Sequence, residues 1–258
     1  MAYSDDYVER KAGISTGAKI AVALVALIGL PIVAAFAFGI YSTFLVGSET
    51  RLVRALDSSP EARSFFSALK RHNPGDYAAL NTAALQAVEL GNGQSGVMLI
   101  LRKSIEFQHA HGAEAADAPD DKLVSLLAAQ IAILRINTKK PQMCKQSLSG
   151  APGQMPKTTD LEDTQLGASQ TLFVASAAAG REHPLHRRKF DYNDQQALFA
   201  ELGKHKVASS ELSSLGTPAV DTATSLRRCV VALALLESVQ ALPKAQSMRV
   251  FAQLLRAS

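Results

Sequence analysis

At 258 residues, with 47% hydrophobic and 19% charged side chains, the chain has the make-up of a globular domain joined to an apolar segment, and a disordered polymer is excluded. Aromatic residues stand at 6% and Trp is absent, while Ala and Leu are abundant, which predicts closely packed helices rather than stacked sheets. The net charge of +4 favours anionic partners mildly and is too small to predict nucleic-acid binding.

Taken in chain order, residues 1–19 form a short polar tail, and the next 27 form the clearest feature of the sequence. From Ile20 to Val46, between Lys19 and Glu49, the run IAVALVALIGLPIVAAFAFGIYSTFLV carries no charge. It predicts a transmembrane helix of about 40 Å, longer than a hydrocarbon core of about 30 Å, so that a tilt or a protruding end is expected. Pro31 removes the donor to the Leu27 carbonyl and, beside Gly29, predicts a kink.

A cleaved signal peptide ending at Ala35-Phe36-Ala37 is the competing reading. Against it, apolar residues continue past that cut through Phe38, Ile40, Tyr41, Phe44, Leu45 and Val46, as an uncleaved anchor requires. The first Cys is Cys144, far from the position that lipoprotein processing needs. Arg10, Lys11 and Lys19 before the run are matched by Arg51, Arg54 and Arg63 after it, so basic residues alone do not orient the span. Lys19 abuts the apolar core, whereas Gly47, Ser48 and Glu49 follow it. That asymmetry predicts a cytoplasmic N-terminus and a periplasmic domain on the inner membrane. The spacing Ala35-x-x-x-Gly39 would allow two anchors to pack as a homo-oligomer.

Residues 47–258 read as an all-α soluble domain, an irregular multi-helix bundle. Ser59-Pro60-Glu61 opens a helix to about His72, and Asn73-Pro74-Gly75 breaks it. Helices are then expected from Asp76 to Leu90, with Tyr77, Leu80, Ala84 and Val88 on one face, and from Gln94 to His111, with Gly112 as the stop. After a polar stretch, Pro119 to Asn137 carries the stripe Leu123, Leu127, Ile131 and Leu134, and Pro141 starts a short helix bearing Cys144.

The Gly/Pro/Ser-rich stretch near 149–158 predicts a loop separating two halves of the domain. The capping box Thr159-Asp160-Leu161-Glu162 opens a helix to about Gly180, and another runs from Asn193 to about Lys206. Thr217-Pro218 begins a helix reaching Leu242, whose centre from Cys229 to Leu236 is apolar on nearly all sides and marks it as the core helix. Pro243 starts the last helix, held by Val250, Leu254 and Leu255. Asn73 to Gly93 has the outline of a helix pair, but no period near 34 residues repeats it, so an irregular bundle is expected, with helix-pair repeats as the alternative.

Cys144 and Cys229 are the two cysteines, and in an exported domain they would form a disulfide joining the short helix to the core helix, the alternative being two buried thiols of a reducing compartment. No phosphate-binding glycine loop, nucleophile elbow, H-E-x-x-H or paired Cys-x-x-Cys pattern occurs, so no cofactor is indicated. His109-Ala110-His111 and His183-Pro184-Leu185-His186 lack the i, i+4 spacing that places two ligands on one helix face, and no metal site is assigned. The run from Arg181 to Tyr192 concentrates Arg181, Arg187, Arg188 and Lys189 beside two aromatics. Arginine forks there would suit lipid head groups or an acidic protein, with a merely solvated connector as the alternative. Two function classes follow. The favoured one is a non-enzymatic, membrane-anchored interaction or scaffold protein of a bacterial-type cell envelope. The other is an enzyme on a membrane-proximal or cell-wall substrate, its acid and base drawn from residues such as Glu106, His109, Asp121 and His183.

Overall fold

A computed structural model describes residues 60–89, 106–149, 159–215 and 221–257. Among them every regular element is a helix: α1 (Pro60–His72), α2 (Pro74–Glu89), α3 (106–116), α4 (Asp120–Lys139), α5 (Pro141–Ser149), α6 (Asp160–Glu182), α7 (Tyr192–Lys204), α8 (Ser209–Ser214), α9 (Thr222–Ala241) and α10 (Lys244–Arg256). No described helix is long and apolar enough to cross a membrane. Residues 20–46, for which the sequence predicts a membrane span, lie outside the described residues, as do the tail before them and all of the loop expected near 149–158 except Ser149, which ends α5.

The helices pack in series. α2 lies on α1, α1 on α6, α6 on α4, and α4 on α9, around which α5, α7, α8 and α10 gather. The sequence stripe Leu123, Leu127, Ile131 and Leu134 is buried as expected, α6 contributing Phe173, Val174 and Ala177 to the same core. α9 buries Cys229, Val231, Ala232, Leu235, Leu236 and Val239, with only Val230 of its apolar centre turned to solvent. Each large side chain so buried stabilises the fold by roughly 1.5–3 kcal/mol, offset by the order imposed on the chain.

Several helix ends differ from the expectation, each for a local reason. Pro74 does not sit in a break but opens α2. The Asn73 amide donates to the Leu69 carbonyl at 2.7 Å, its own carbonyl accepts from Tyr77 at 2.9 Å, and one residue therefore serves both helices. Proline is well placed at a first helical position because its missing N–H would be unpaired there anyway. Gly112 does not stop α3, which continues to residue 116. Gly112 is itself buried, in a helix that also buries Phe107, Ala115 and Ala116, and that burial outweighs glycine's helix penalty of about 1 kcal/mol. α7 ends at Lys204 rather than Lys206, which takes a left-handed φ of 55°. α9 begins at Thr222, where Asp221 accepts from the Thr224 amide at 2.8 Å, rather than at Pro218.

Candidate functional site

The basic run lies where α6 meets the end of α3, and Gly180 makes the meeting possible. A Cβ on Gly180 would fall 1.8 Å from the Glu114 carbonyl oxygen and 3.0 Å from the Ala118 nitrogen, so only glycine lets the two backbones approach this closely. The approach brings Arg181 onto Glu114. Its Nη1 donates to Glu114 Oε2, and its Nη2 donates to the His72 carbonyl at 2.9 Å and to Asn73 Oδ1 at 3.2 Å. One guanidinium thus ties α3, α6 and the α1–α2 corner together.

His111 stands inside this cluster, with 15% of its side chain exposed. Its Nδ1 is 2.7 Å from Glu114 Oε2 and its Nε2 is 3.0 Å from Asp76 Oδ2, while the Phe107 ring packs at 4.5 Å between centroids. Phe107 in turn meets Phe173 edge-on, joining the polar cluster to the apolar core. An imidazole with a carboxylate on each ring nitrogen can take up or release a proton while the surrounding helices hold it in place.

Beyond α6 the connector 183–191 is pinned rather than loose. The Leu185 amide donates to the Asp117 carbonyl at 2.7 Å. Arg187, with 6% of its side chain exposed, donates through Nη1 to the Ala116 carbonyl at 2.8 Å and through Nη2 to the Ala118 carbonyl and Asp120 Oδ1, both at 2.6 Å. These carbonyls stand at and just after the end of α3, where helical donors run out, and Asp120 occupies the first turn of α4, where a carboxylate is favoured. Arg187 therefore fastens the end of one helix to the start of the next.

The four basic residues singled out by the sequence are divided by this geometry. Arg181 and Arg187 point their guanidinium groups at protein acceptors. Arg188 pairs with Asp191 at 3.0 Å on the surface, and Lys189 is exposed without an ion-pair partner among the described residues. His183 and His186 are exposed, as are Leu185 on the same connector and Tyr192 at the start of α7, with exposures of 43% and 68%. His109 faces solvent while His111 turns inward. Among the described residues no group of three or more His, Cys, Asp or Glu side chains is placed to hold a metal ion. The other candidate acids and bases, Glu106, Asp121 and His183, are all exposed and stand on three different elements.

The chain matches no family model, no curated protein and no solved structure. Its own geometry is the basis for any functional reading. The remaining sequence-assigned pair is joined: Cys144 in α5 and Cys229 in α9 form a disulfide, both fully buried, with Cα atoms 6.2 Å apart. Sequence reasoning missed the cluster around His111. The His111 to Glu114 spacing of three on a helix was readable, but Asp76 and Arg181 arrive from 35 and 70 residues away.

Proposed function

We propose that the chain is a non-enzymatic, membrane-anchored interaction or scaffold protein of the cell envelope, with residues 20–46 in the inner membrane and the helical domain in the periplasm. The observation that carries this reading is the buried Cys144–Cys229 bridge, because a disulfide inside a domain core persists in an oxidising compartment and is rare in a reducing one. An uncharged run of 27 residues ahead of such a domain supplies the anchor. The charge arrangement supports a scaffold: Arg181, Arg187 and Arg249 all bind protein acceptors, holding helices in fixed relation. The exposed side chains of the connector and the start of α7, Leu185, His186, Lys189 and Tyr192, offer a partner apolar and weakly cationic groups, suited to anionic head groups or an acidic protein. Association through Ala35 and Gly39 would make the anchored protein a homo-oligomer.

Protease protection tests the reading. In cells whose outer barrier is opened but whose inner membrane is intact, the domain is expected to be digested while a fragment containing residues 20–46 stays with the membrane. Complete protection until the inner membrane is broken would place the domain in the cytoplasm and remove the proposal. Release of the whole chain by alkaline carbonate would remove the anchor.

A further inference from the structure

The contacts of His111 with Asp76 and Asn73 are mutually exclusive at one atom. Asn73 Oδ1 accepts from Arg181, which fixes the amide so that Asn73 Nδ2 faces His111 Nε2 at 3.4 Å. An amide nitrogen only donates, so that contact requires a lone pair on Nε2 and hence the neutral ring. Asp76 Oδ2, 3.0 Å from the same Nε2, is a carboxylate oxygen and requires an N–H there. With Nδ1 directed at Glu114 Oε2 at 2.7 Å, only the imidazolium has a donor for both carboxylates.

The charges around the ring agree. It is faced by Asp76 from α2, by Glu114 from its own α3 and by Arg181 from α6, whose Nη1 lies 3.4 Å from Nδ1, while α1 contributes the His72 carbonyl, to which Arg181 donates. Two carboxylates against Arg181 and an imidazolium balance. A neutral ring leaves one carboxylate unmatched and sets a lone pair of Nε2 against Asp76. Asp76, with 41% of its side chain exposed, is the group able to leave, by turning into water.

We infer that His111 is a pH-sensitive clasp: its protonated ring fastens the first turn of α2 to α3 through Asp76, and its neutral ring releases Asp76 and accepts from Asn73 instead. The device sits at the corner where the chain leaves α1, and it leaves the hydrophobic contacts of α1 with α6 in place. It holds whichever compartment the domain occupies.

The test uses the full disulfide-bonded chain and its Asp76→Asn variant, melted at about pH 5.5 and about pH 8, across the range in which histidines change charge. At pH 5.5 the variant is expected to melt about 2–4 °C below the wild type, the shift that the loss of one charged contact gives a domain of this size. At pH 8 the difference should shrink to within about 1 °C. A gap that is equal at both pH values, or larger at pH 8, overturns the clasp. Ring nitrogen shifts of His111 give a second readout that does not depend on the variant folding. At pH 8 they should report a proton on Nδ1 and none on Nε2, and a proton retained on Nε2 alone would overturn the inference equally.

Discussion

Asp194 and Arg249 form a two-pronged ion pair in which the carboxylate is fully buried. Arg249 Nη2 donates to Oδ1 at 2.6 Å and Nε to Oδ2 at 3.0 Å, joining the first turn of α7 to α10. Asp194 also belongs to a capping box, its amide donating to Asp191 Oδ1 at 3.0 Å. The arrangement meets the conditions under which a buried charge is tolerated, namely a fork-shaped partner and further hydrogen bonds.

Removing the partner strands the charge. Arg249→Met, which keeps the apolar stem, should destabilise the chain by about 3 kcal/mol at pH 7, read as a fall in the urea midpoint. Acid titration fixes the cause. The hydrogen bond from Arg249 holds the Asp194 carboxyl below its ordinary value, so the pair's contribution is complete above the unfolded carboxyl value of about 3.9 and is lost as pH falls through the lower folded value. The gap between wild type and Arg249→Met should therefore narrow below about pH 4. A gap unchanged at pH 3 would show that lost packing, and not charge, is the cost.

Gly180 gives the sharpest steric prediction. An alanine Cβ would meet the Glu114 carbonyl oxygen at 1.8 Å and its carbon at 2.8 Å, backbone atoms that cannot rotate away. Gly180→Ala must push α6 off α3 and disturb the Arg181 contacts with it, at a cost of about 3 kcal/mol or loss of folding. Gly203→Ala is the matched control, since nothing lies within 4 Å of its Cβ and Gly203 is in α7. It should be neutral or stabilising by up to about 1 kcal/mol. Thermal melts of the two variants, run together, separate a steric cause from a general intolerance of glycine replacement.

These positions show where the fold could be read from the sequence and where it could not. The stripe on α4 and the apolar centre of α9 repeat every three or four residues, so their periodicity exposes them without tertiary information. α8 escaped because six residues, four of them serine, show no period, and only Leu212, with Leu215 just after, joins the core. Gly112 and Gly180 misled in the same way, since each helix runs past the glycine expected to end it. Glycine signals a stop when nothing else is known, yet both are buried inside helices, and at Gly180 the Glu114 backbone leaves room for no other residue. The basic run was visible as composition, but whether each cation faces water or a carbonyl depends on Asp120, Glu114 and the end of α3, which lie about seventy residues away. The disulfide was legible only because two cysteines admit one pairing.

Arg187 and its neighbours should behave differently on substitution. Arg187 binds three backbone carbonyls, those of Ala116, Ala118 and Leu185, and Asp120 with its side chain almost wholly buried, so Arg187→Ala should cost about 2–3 kcal/mol, the range for charge-assisted bonds left without their donor. Arg188→Ala and Lys189→Ala together should cost no more than about 0.5 kcal/mol, because the Arg188 pair with Asp191 is exposed and Lys189 lies on the surface. The double variant is thus the clean probe of binding. If the connector meets anionic head groups, co-sedimentation with phosphatidylglycerol vesicles should fall while the melting temperature holds. Unchanged sedimentation would leave the connector a structural strap alone.

The Cys144–Cys229 bridge closes a separation of 85 residues, and loop closure in the unfolded chain gives it a stabilising contribution of about 4.5 kcal/mol on the entropic model. Its location sharpens the expectation. α5 packs on α9 and α4, and the segment after α5 lies outside the described residues, so the bridge is the one covalent tie between this short helix and the core helix among them. Cys144→Ser with Cys229→Ser should lower the urea midpoint accordingly, and reducing agent should bring the wild type to the same midpoint while leaving the double variant unmoved. Thiol-blocked protein from cells should run faster on a non-reducing gel than on a reducing one, as a chain closed by a loop of this length does. If the two mobilities agree and the double variant matches the wild type in stability, the cysteines are buried thiols in the native protein, and the strongest support for an exported domain is gone.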